Sequence, residues 1–325
     1  MIGVEPTWRG VPVTGRCAAG AALGKIRIKT CVEDFQVDEI LGFEPEGSGE
    51  HVYLRVRKTG LNTAWLAGEI ARTLRLKARH VSWSGRKDRH AVTTQWFSCW
   101  LPGVDPDLAP IGDLAGVDLL AAVRHPRKLR IGDHAGNRFR LHIRGDGAEH
   151  PEALSRACAL RAGFPNYFGP QRFGANAGNL ERAVAFFAVQ DRRRARRKTR
   201  NRDIFYSAAR AFLFNRLLDA AVAQDAWRSG TGLLPGDAAL SPNAAELLGP
   251  FSDLVDGLAT DRLAPAQRAF CTRPARFGAE QGNLGLGLTF ELPQGAYATA
   301  FLRELGQVVD VSEHSTAAPS VETAS

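Results

Sequence analysis

The sequence predicts a mixed α and β protein with about two domains. The chain has 325 residues, and a domain commonly holds about 150 residues. Alternating apolar and polar residues, which are typical of strands, recur at 51–57, 138–144 and 283–293. Apolar residues at four-residue steps, which are typical of helices, begin at Leu66 and again at Phe205. Both kinds of element are therefore expected in one globular chain.

The first half of the chain is expected to be rich in strands. Residues 25–59 are predicted to form strands. Asn62 is placed to cap a helix, because its side chain can accept hydrogen bonds from the first free amides. The apolar stripe of that helix comprises Leu66, Ile70 and Leu74. Residues 81–98 are expected to form two strands around a charged turn, and the Pro- and Gly-rich residues 101–118 a loop.

The segment 138–144 predicts a strand with one apolar and one basic face. The apolar face comprises Phe139, Leu141 and Ile143. The basic face comprises Arg138, Arg140, His142 and Arg144. Such a basic face favours contact with phosphates.

A change in composition near residue 162 predicts a domain boundary. Residues 163–174 carry several Gly and Pro and are expected to form a shaped loop. Eight of the eleven residues at 192–202 are basic. A helix is expected beyond them, with an apolar stripe that excludes Asn215 and comprises Phe205, Ala209, Leu213 and Leu217. It is followed by a predicted loop at 228–250, a strand at 283–293 and a helix at 294–305. The polar tail 312–325 is expected to be disordered.

The charge balance favours an anionic partner. The chain has 42 Lys and Arg against 34 Asp and Glu, a net charge of +8. Only seven of the 42 are lysines, and the arginine fork binds phosphate and stacks on bases, which suits RNA. Drift in nucleotide composition is an alternative explanation for part of this excess, because Ala and Gly are abundant too.

Several classes of protein are not predicted. No apolar run is long enough for a membrane-spanning helix, and the first ten residues lack the apolar core of a signal peptide. Five widely spaced cysteines fit a reducing cytoplasm better than a disulfide framework or a zinc ribbon. The segment 20–25 is one residue short of a phosphate-binding loop, and neither an HExxH nor a GxSxG motif occurs. Metal, nucleotide and serine-hydrolase mechanisms are therefore not expected.

The densest polar cluster lies at 82–98 and includes Asp88. Cationic or titratable neighbours surround Asp88, namely Arg86, Lys87, Arg89 and His90. Nearby cations favour an ionised carboxylate, and an ionised Asp beside groups that can hold a phosphodiester is equipped to attack a nucleoside sugar. The alternative is a solvated hairpin turn whose charges face water.

The same cluster resembles the signature of the TruD family of tRNA pseudouridine synthases. The stretch 84–98 matches the family's Gly-x-Lys-Asp-Arg-x-Ala-x-Thr-x-Gln motif, in which the catalytic aspartate corresponds to Asp88. Further blocks match in the expected order, at 29–35, 51–65, 136–139, 166–174, 207–215 and 292–305. Ordered blocks over residues 25–305 make this resemblance far more specific than one short motif.

The resemblance implies a fold and its division. It implies an α/β (α+β) catalytic domain with a mixed, largely antiparallel sheet, built from both ends of the chain and interrupted by an inserted α/β TRUD domain. The catalytic domain would comprise 1–162 and 283–311, the inserted domain 163–282, and the disordered tail 312–325.

The implied function is isomerisation of uridine to pseudouridine at position 13 of tRNA. Asp88 would be the nucleophile. The reaction neither oxidises nor reduces its substrate and imports no group, so no cofactor and no metal is expected. The expected partner is tRNA, and no membrane association is expected. The protein is expected to be a cytoplasmic monomer.

The resemblance also implies roles for residues around Asp88. Phe139 would stack on the target base, whereas periodicity alone would place it in the core. Asn137 would position the catalytic carboxylate, or else start the strand. Lys29 would set a cation near Asp88 or a phosphate, or else be a solvated strand residue. Gln95 would contact the substrate, or else be an exposed strand side chain.

Two further sets of residues are expected to contact RNA. Phe168 and Arg172 would line the cleft, with loop packing as the alternative. Four arginines of the basic run, Arg193, Arg194, Arg196 and Arg197, would bind RNA phosphates, with a solvated loop as the alternative.

Two rival functions share these features. A non-catalytic RNA-binding protein on the same scaffold would carry the same basic surface without needing Asp88. An RNA glycosylase would use the same attack but let water complete hydrolysis, so that free uracil would be the product.

Overall fold

The computed structural model describes residues 6–314, which form two compact units. The first, here called the sheet unit, comprises 23–158, 274–295 and the residues from 308 onward. The second, here called the helical unit, comprises the residues up to 22, 159–273 and 296–307. The domain boundaries expected from the sequence stay a prediction.

Within residues 6–314 the chain forms short strands, α-helices and several 3-10 turns. The strands are β1 Thr7–Trp8, β2 Val11–Pro12, β3 Lys25–Ile28, β4 Phe35–Ile40, β5 His51–Thr59, β6 Val81–Trp83, β7 Val92–Trp100, β8 Val117–His125, β9 Gly136–Ile143, β10 Phe164–Pro165, β11 Thr231–Leu234, β12 Ala266–Ala269, β13 Cys271–Thr272, β14 Ala275–Gly282, β15 Gly285–Pro293 and β16 Gln307–Asp310. The helices are α1 Thr63–Thr73, α2 Ala109–Gly112, α3 Asp146–Glu149, α4 Ala153–Ala159, α5 Gly178–Phe187, α6 Arg192–Lys198, α7 Arg202–Ala223, α8 Pro242–Leu248, α9 Ser252–Thr260 and α10 Ala298–Arg303.

An eight-stranded sheet dominates the sheet unit. Its order is β14-β15-β9-β4-β7-β5-β8, and β6 pairs with β7 beside this path. Strands β4 and β7 run parallel, whereas the other neighbours run antiparallel. The expected α/β fold with a mixed, largely antiparallel sheet is thus confirmed.

Helix α1 covers one face of this sheet as its sequence predicts. The Asn62 side chain accepts hydrogen bonds from the amides of Ala64 and Trp65, which caps the helix. Leu66 and Ile70 are fully buried, in one core cluster with the apolar face of β5. The capped start and the buried stripe fix the beginning of α1 close to the charged turn.

The basic face of β9 differs from expectation. Arg138 contacts Glu291 of β15 at 2.7 Å, and Arg140 contacts Asp38 of β4 at 3.0 Å. Carboxylates on neighbouring strands therefore pair with arginines that were predicted to contact phosphates. The charges of Arg138 and Arg140 are thus paired within the sheet.

Helix α7 forms the centre of the helical unit. Ala209 and Leu213 of the predicted stripe are fully buried. Asn215, expected off the stripe, is fully buried as well. Its side chain accepts from the Phe168 amide at 3.0 Å and donates to the Val13 carbonyl at 2.9 Å. These bonds satisfy a polar group that would otherwise be costly to bury.

Some segments expected to be loops contain short elements. Helix α2 and the start of β8 lie within 101–118, and β11 and α8 lie within 228–250. The basic run, for which a solvated loop was the alternative to phosphate contact, contains α6. The strands are held by pairing with β5 and β12, which are distant in sequence. Of the tail expected to be disordered, residues 315–325 lie outside the described residues, and Val311–His314 form a 3-10 turn.

Candidate active site

Asp88 lies on the connection between β6 and β7, at residues 84–91, which we call the Asp88 turn. The two strands are antiparallel neighbours, so the connection joins the end of β6 to the adjacent start of β7. The Asp88 side chain is 53% exposed. A carboxylate this accessible can meet a substrate, provided that the turn beneath it is held still.

An ion pair anchors the turn on one side of Asp88. The Lys87 ammonium lies 2.6 Å from a Glu39 carboxylate oxygen, and the two side chains are 6% and 0% exposed. The other Glu39 oxygen accepts the Trp96 amide at 3.1 Å. Lys87 therefore points into the unit, whereas the sequence suggested that it could hold a phosphodiester.

Lys58 anchors the backbone of Asp88 itself. Its fully buried ammonium donates to the Asp88 carbonyl at 2.9 Å and to the Leu61 carbonyl at 2.7 Å. Burial away from water lowers the pKa of Lys58 from 10.5 to about 8. Since these bonds join the end of β5 to the turn, they fix the position from which the Asp88 side chain departs.

Gln95 and Thr63 tie the turn to α1. The Thr63 hydroxyl donates to the Gln95 side-chain carbonyl at 2.9 Å and accepts the Lys87 amide at 3.0 Å. The Gln95 amide also donates to the Gly85 carbonyl at 3.3 Å. Gln95 is fully buried, so its described contacts are internal. Its expected contact with substrate stays a prediction.

Lys29 places a cation beside Asp88. The Lys29 ammonium lies 3.8 Å from an Asp88 carboxylate oxygen and 2.7 Å from Asp310, and its side chain is 11% exposed. Lys29 has a left-handed backbone conformation, with φ of 57°. A residue other than glycine in this region costs about 1–3 kcal/mol, and such strain concentrates at functional sites.

Aromatic rings adjoin the cation. The Lys29 ammonium lies 5.0 Å from the centre of the Phe35 ring. Phe139 meets Phe35 edge to face at 6.4 Å, lies 5.4 Å from Phe290, and is 7% exposed. On the same strand, the buried side-chain oxygen of Asn137 has no hydrogen-bond partner among the described residues. Phe139 is thus mostly packed, and its role as a base platform stays a prediction.

Phe168 and Arg172 lie in the helical unit and form part of its packing. Arg172 donates to the Tyr297 hydroxyl at 3.1 Å and to the Ser207 hydroxyl at 2.9 Å. Its guanidinium carbon lies 5.8 Å from the centre of the Phe168 ring, and that of Arg268 lies 4.0 Å from the same centre. The expected contacts of Phe168 and Arg172 with RNA stay a prediction.

The basic run forms α6 in the helical unit. The Asp191 side chain caps the helix by accepting the Arg194 amide at 2.9 Å. Arg192 turns inward, where it pairs with Asp261 and lies 4.4 Å from the Phe186 ring. The remaining arginines named above, which we call the α6 arginines, are exposed: Arg193, Arg194, Arg196 and Arg197. Within residues 6–314, none of these four forms an ion pair.

Sequence reasoning missed the anchors of the Asp88 turn. Lys58 follows Val52, Leu54 and Val56 at two-residue steps, and is therefore a charge on an apolar strand face. Glu39 likewise follows Phe35 and Val37 at two-residue steps on β4. An unexplained charge on an apolar face was the available signal. Asp310 gave no signal, since it lies 281 residues from Lys29 and beyond the blocks that carried the resemblance.

Two features are absent from the described part of the chain, a membrane-spanning helix and a metal-binding cluster. Across residues 6–314, no helix combines the length and apolar character needed to cross a bilayer. In the same residues, no group of three or more His, Cys, Asp and Glu side chains is arranged to hold a metal ion.

Known proteins match this chain over most of its length. Residues 21–195 match the family model described as tRNA pseudouridine synthase D (TruD). A tRNA pseudouridine synthase D of Methylococcus capsulatus is 41% identical over 89% of this chain and 93% of its own length. The chain belongs to the TruD family. A second TruD relative, from Aeromonas hydrophila, is 37% identical over 89% of this chain and 92% of its own length.

The fold agrees with that of a solved TruD structure. The crystal structure of a protein assigned as tRNA pseudouridine synthase D from Methanosarcina mazei aligns with a TM-score of 0.64 at 20% identity. The alignment covers 90% of this chain and 96% of that one. Lys29, Asp88 and Phe139 lie inside the segment that matches the TruD family model, whereas Asp310 lies outside it.

Proposed function

We propose that this TruD family member converts uridine to pseudouridine in tRNA, at position 13, with Asp88 as the nucleophile and with no cofactor. One observation carries the assignment of Asp88. Its carboxylate is exposed, whereas its backbone carbonyl accepts a hydrogen bond from the buried Lys58, and the preceding residue, Lys87, is held by a buried ion pair with Glu39. An exposed reactive group on a rigid support meets the geometric demand of covalent catalysis.

The reaction needs a nucleophile and a pocket, and no electron carrier. The glycosidic bond from C1′ to N1 of uracil breaks, and a bond from C1′ to C5 forms. C5 loses a proton and N1 gains one, so the product is an isomer of the substrate. The Asp88 carboxylate attacks C1′ and forms an ester bond to it as the bond to N1 breaks. The detached uracil turns, and C5 then displaces the carboxylate from C1′, which returns Asp88 to its starting state.

Lys29 supports the charge changes of this reaction. Its ammonium lies 3.8 Å from the Asp88 carboxylate, which is close enough for attraction and too far for a direct hydrogen bond. The cation attracts the Asp88 carboxylate and leaves the carboxylate oxygens free to attack.

The base must leave the tRNA stack to reach Asp88. Extrusion costs a few kcal/mol, which enzymes recover by stacking and hydrogen bonding in the pocket. Phe139 supplies the stacking ring in our proposal, and the buried oxygen of Asn137, which has no partner among the described residues, supplies an acceptor. The α6 arginines hold the tRNA backbone, because exposed guanidinium groups neutralise phosphates without reading sequence. The site of action in our proposal is the cytoplasm, and the acting species is a monomer.

The test uses unmodified tRNA made by transcription. The wild-type chain should form pseudouridine at position 13, which chemical modification followed by primer extension would locate. Release of free uracil would indicate a glycosylase instead. Binding of tRNA with neither product would indicate an RNA-binding protein without this activity.

A further inference from the structure

We propose that Asp310 is a positioning residue that acts on Asp88 through Lys29. This inference rests on the proposed function, in which Asp88 is the nucleophile. Lys29 lies between two carboxylates, 2.7 Å from Asp310 and 3.8 Å from Asp88. The shorter distance is a charge-assisted hydrogen bond, and the longer is not a hydrogen bond.

The fold brings Asp310 to this place from the far end of the chain. Strand β16, which ends at Asp310, pairs with β3, which ends one residue before Lys29. The two partners lie 281 residues apart in sequence. This pairing sets both side chains at the ends of adjacent strands, where they meet.

Hydrogen bonds from Ser312 fix the Asp310 carboxylate. One of its carboxylate oxygens accepts the Ser312 hydroxyl at 2.6 Å and the Ser312 amide at 3.1 Å. Its other oxygen accepts from Lys29. With one oxygen fixed by the turn that follows β16, the second has a defined direction toward Lys29.

The consequence concerns where the Lys29 ammonium rests. Two carboxylates compete for one cation, and Asp310 has the shorter contact. Without the Asp310 charge, Lys29 is free to close on Asp88 to hydrogen-bond distance. That bond would occupy an oxygen that must attack the substrate. Asp310 therefore keeps the cation near enough to attract and far enough to leave Asp88 reactive.

The test compares Asp310→Asn with wild type in single-turnover and steady-state reactions on tRNA. Asp310→Asn should lower kcat by about tenfold to about 100-fold, because displaced reacting groups cost rates of this order. KM should change less than about threefold, since Asp310 does not bind substrate. Asp310→Glu, which keeps the charge, should recover most of the rate.

Epistasis separates action through Lys29 from a merely structural role. In a Lys29→Met background, adding Asp310→Asn should change the single-turnover rate by less than about twofold, because the two residues act as one unit. An equal loss in both backgrounds would overturn the inference. If Lys29→Met leaves no measurable rate, the split between kcat and KM and the recovery in Asp310→Glu decide the question.

Controls cover folding and the proposed function itself. Asp118 lies on the edge strand β8 and forms an exposed ion pair with Arg57 of β5. Asp118→Asn breaks this pair and should leave kcat unchanged. If Asp310→Asn fails to fold, Ser312→Ala keeps the charge while releasing its support, and should lower kcat in the same direction but less. An unchanged kcat in Asp310→Asn would overturn this inference alone. A wild-type chain that forms no pseudouridine would overturn the proposed function and this inference with it.

Discussion

Three lysines around the Asp88 turn and four arginines of helix α6 are all cationic, and the fold treats the two sets of charges in opposite ways. Around the turn, Lys87 pairs with Glu39, Lys58 binds two carbonyls and Lys29 binds Asp310. The α6 arginines are exposed and, within the described residues, have no ion pair. Charges with fixed partners hold a reacting group in place. Charges left in water are available to phosphates, whose spacing they can follow.

The largest expected effect on stability comes from the buried pair under the turn. Glu39→Gln keeps the shape but leaves the Lys87 ammonium buried without a counter-charge. Removing one partner of a buried pair typically costs about 3–5 kcal/mol. Urea unfolding followed by circular dichroism would measure this loss.

The matched variant on α6 sharpens the contrast. Arg194 is exposed and without an ion pair among residues 6–314, so Arg194→Gln should change the free energy of unfolding by less than about 0.5 kcal/mol. Equal effects of Glu39→Gln and Arg194→Gln would show that the two regions do not differ as described.

Phe139→Ala tests whether the ring beside the turn has two roles. Phe139 is packed against Phe35 and Phe290, so its loss should cost about 3–5 kcal/mol of stability. If Phe139 also stacks on the base, the rate per folded molecule should fall by a further amount equivalent to about 1–3 kcal/mol.

Phe290→Ala is the control for that variant. Phe290 is 1% exposed and lies 5.4 Å from Phe139, so the stability cost should be similar. Its rate per folded molecule should stay near the wild-type value. A Phe139→Ala variant that is destabilised yet fully active per folded molecule would assign Phe139 to the core alone.

Lys58 predicts a pH dependence of stability. Its pKa is about 8 in the folded chain against 10.5 for an ordinary lysine. Between these values the unfolded chain holds a proton that the folded chain has lost, so stability rises with pH. Relative to Lys58→Met, wild type should gain up to about 3 kcal/mol across this window.

Unfolding by urea at pH 7.5 and pH 10.5 would measure the Lys58 effect, with both chains compared at each pH. Lys77→Met replaces an exposed lysine and should show no such gain relative to wild type. A constant difference between wild type and Lys58→Met would contradict the burial of a titrating ammonium at this position.

Neutralising all four α6 arginines should change the salt dependence of tRNA binding and leave the modified position unchanged. Replacing them with Gln should make the slope of log affinity against log salt shallower by about 0.7 to 0.9 per lost phosphate contact. The modified nucleotide should stay the same, because phosphate contacts position RNA and do not read it. Filter binding of tRNA at several salt concentrations would give the slope. An unchanged slope would place α6 outside the RNA footprint.

Local patterns in the sequence were sufficient for the elements whose causes are local. The alternation of β5 and the cap of α1 at Asn62 depend on neighbours in the chain, and both are confirmed. No helix was predicted for the basic run, where α6 forms with Asp191 as its cap. The burial of Asn215 could not be predicted from the local pattern, because the Val13 carbonyl that accepts its hydrogen bond lies 202 residues away in sequence.

The candidate site shows the same limit. The turn around Asp88 stands out as a polar cluster, and the resemblance supplied the roles of its residues. The supports of the turn could not be read from local sequence, because Glu39 and Lys87 lie 48 residues apart and Lys29 and Asp310 lie 281 apart. A charge on an apolar strand face indicates that a partner exists, but only the fold identifies it.

The most direct test of this account is pseudouridine formation by Asp88→Asn. The substitution keeps the size of the side chain and its backbone anchors, and removes the anionic nucleophile. With enzyme in excess over unmodified tRNA, the account predicts no pseudouridine from Asp88→Asn while tRNA binding stays close to that of wild type. Turnover by Asp88→Asn near the wild-type rate would contradict the assignment of Asp88 as the nucleophile.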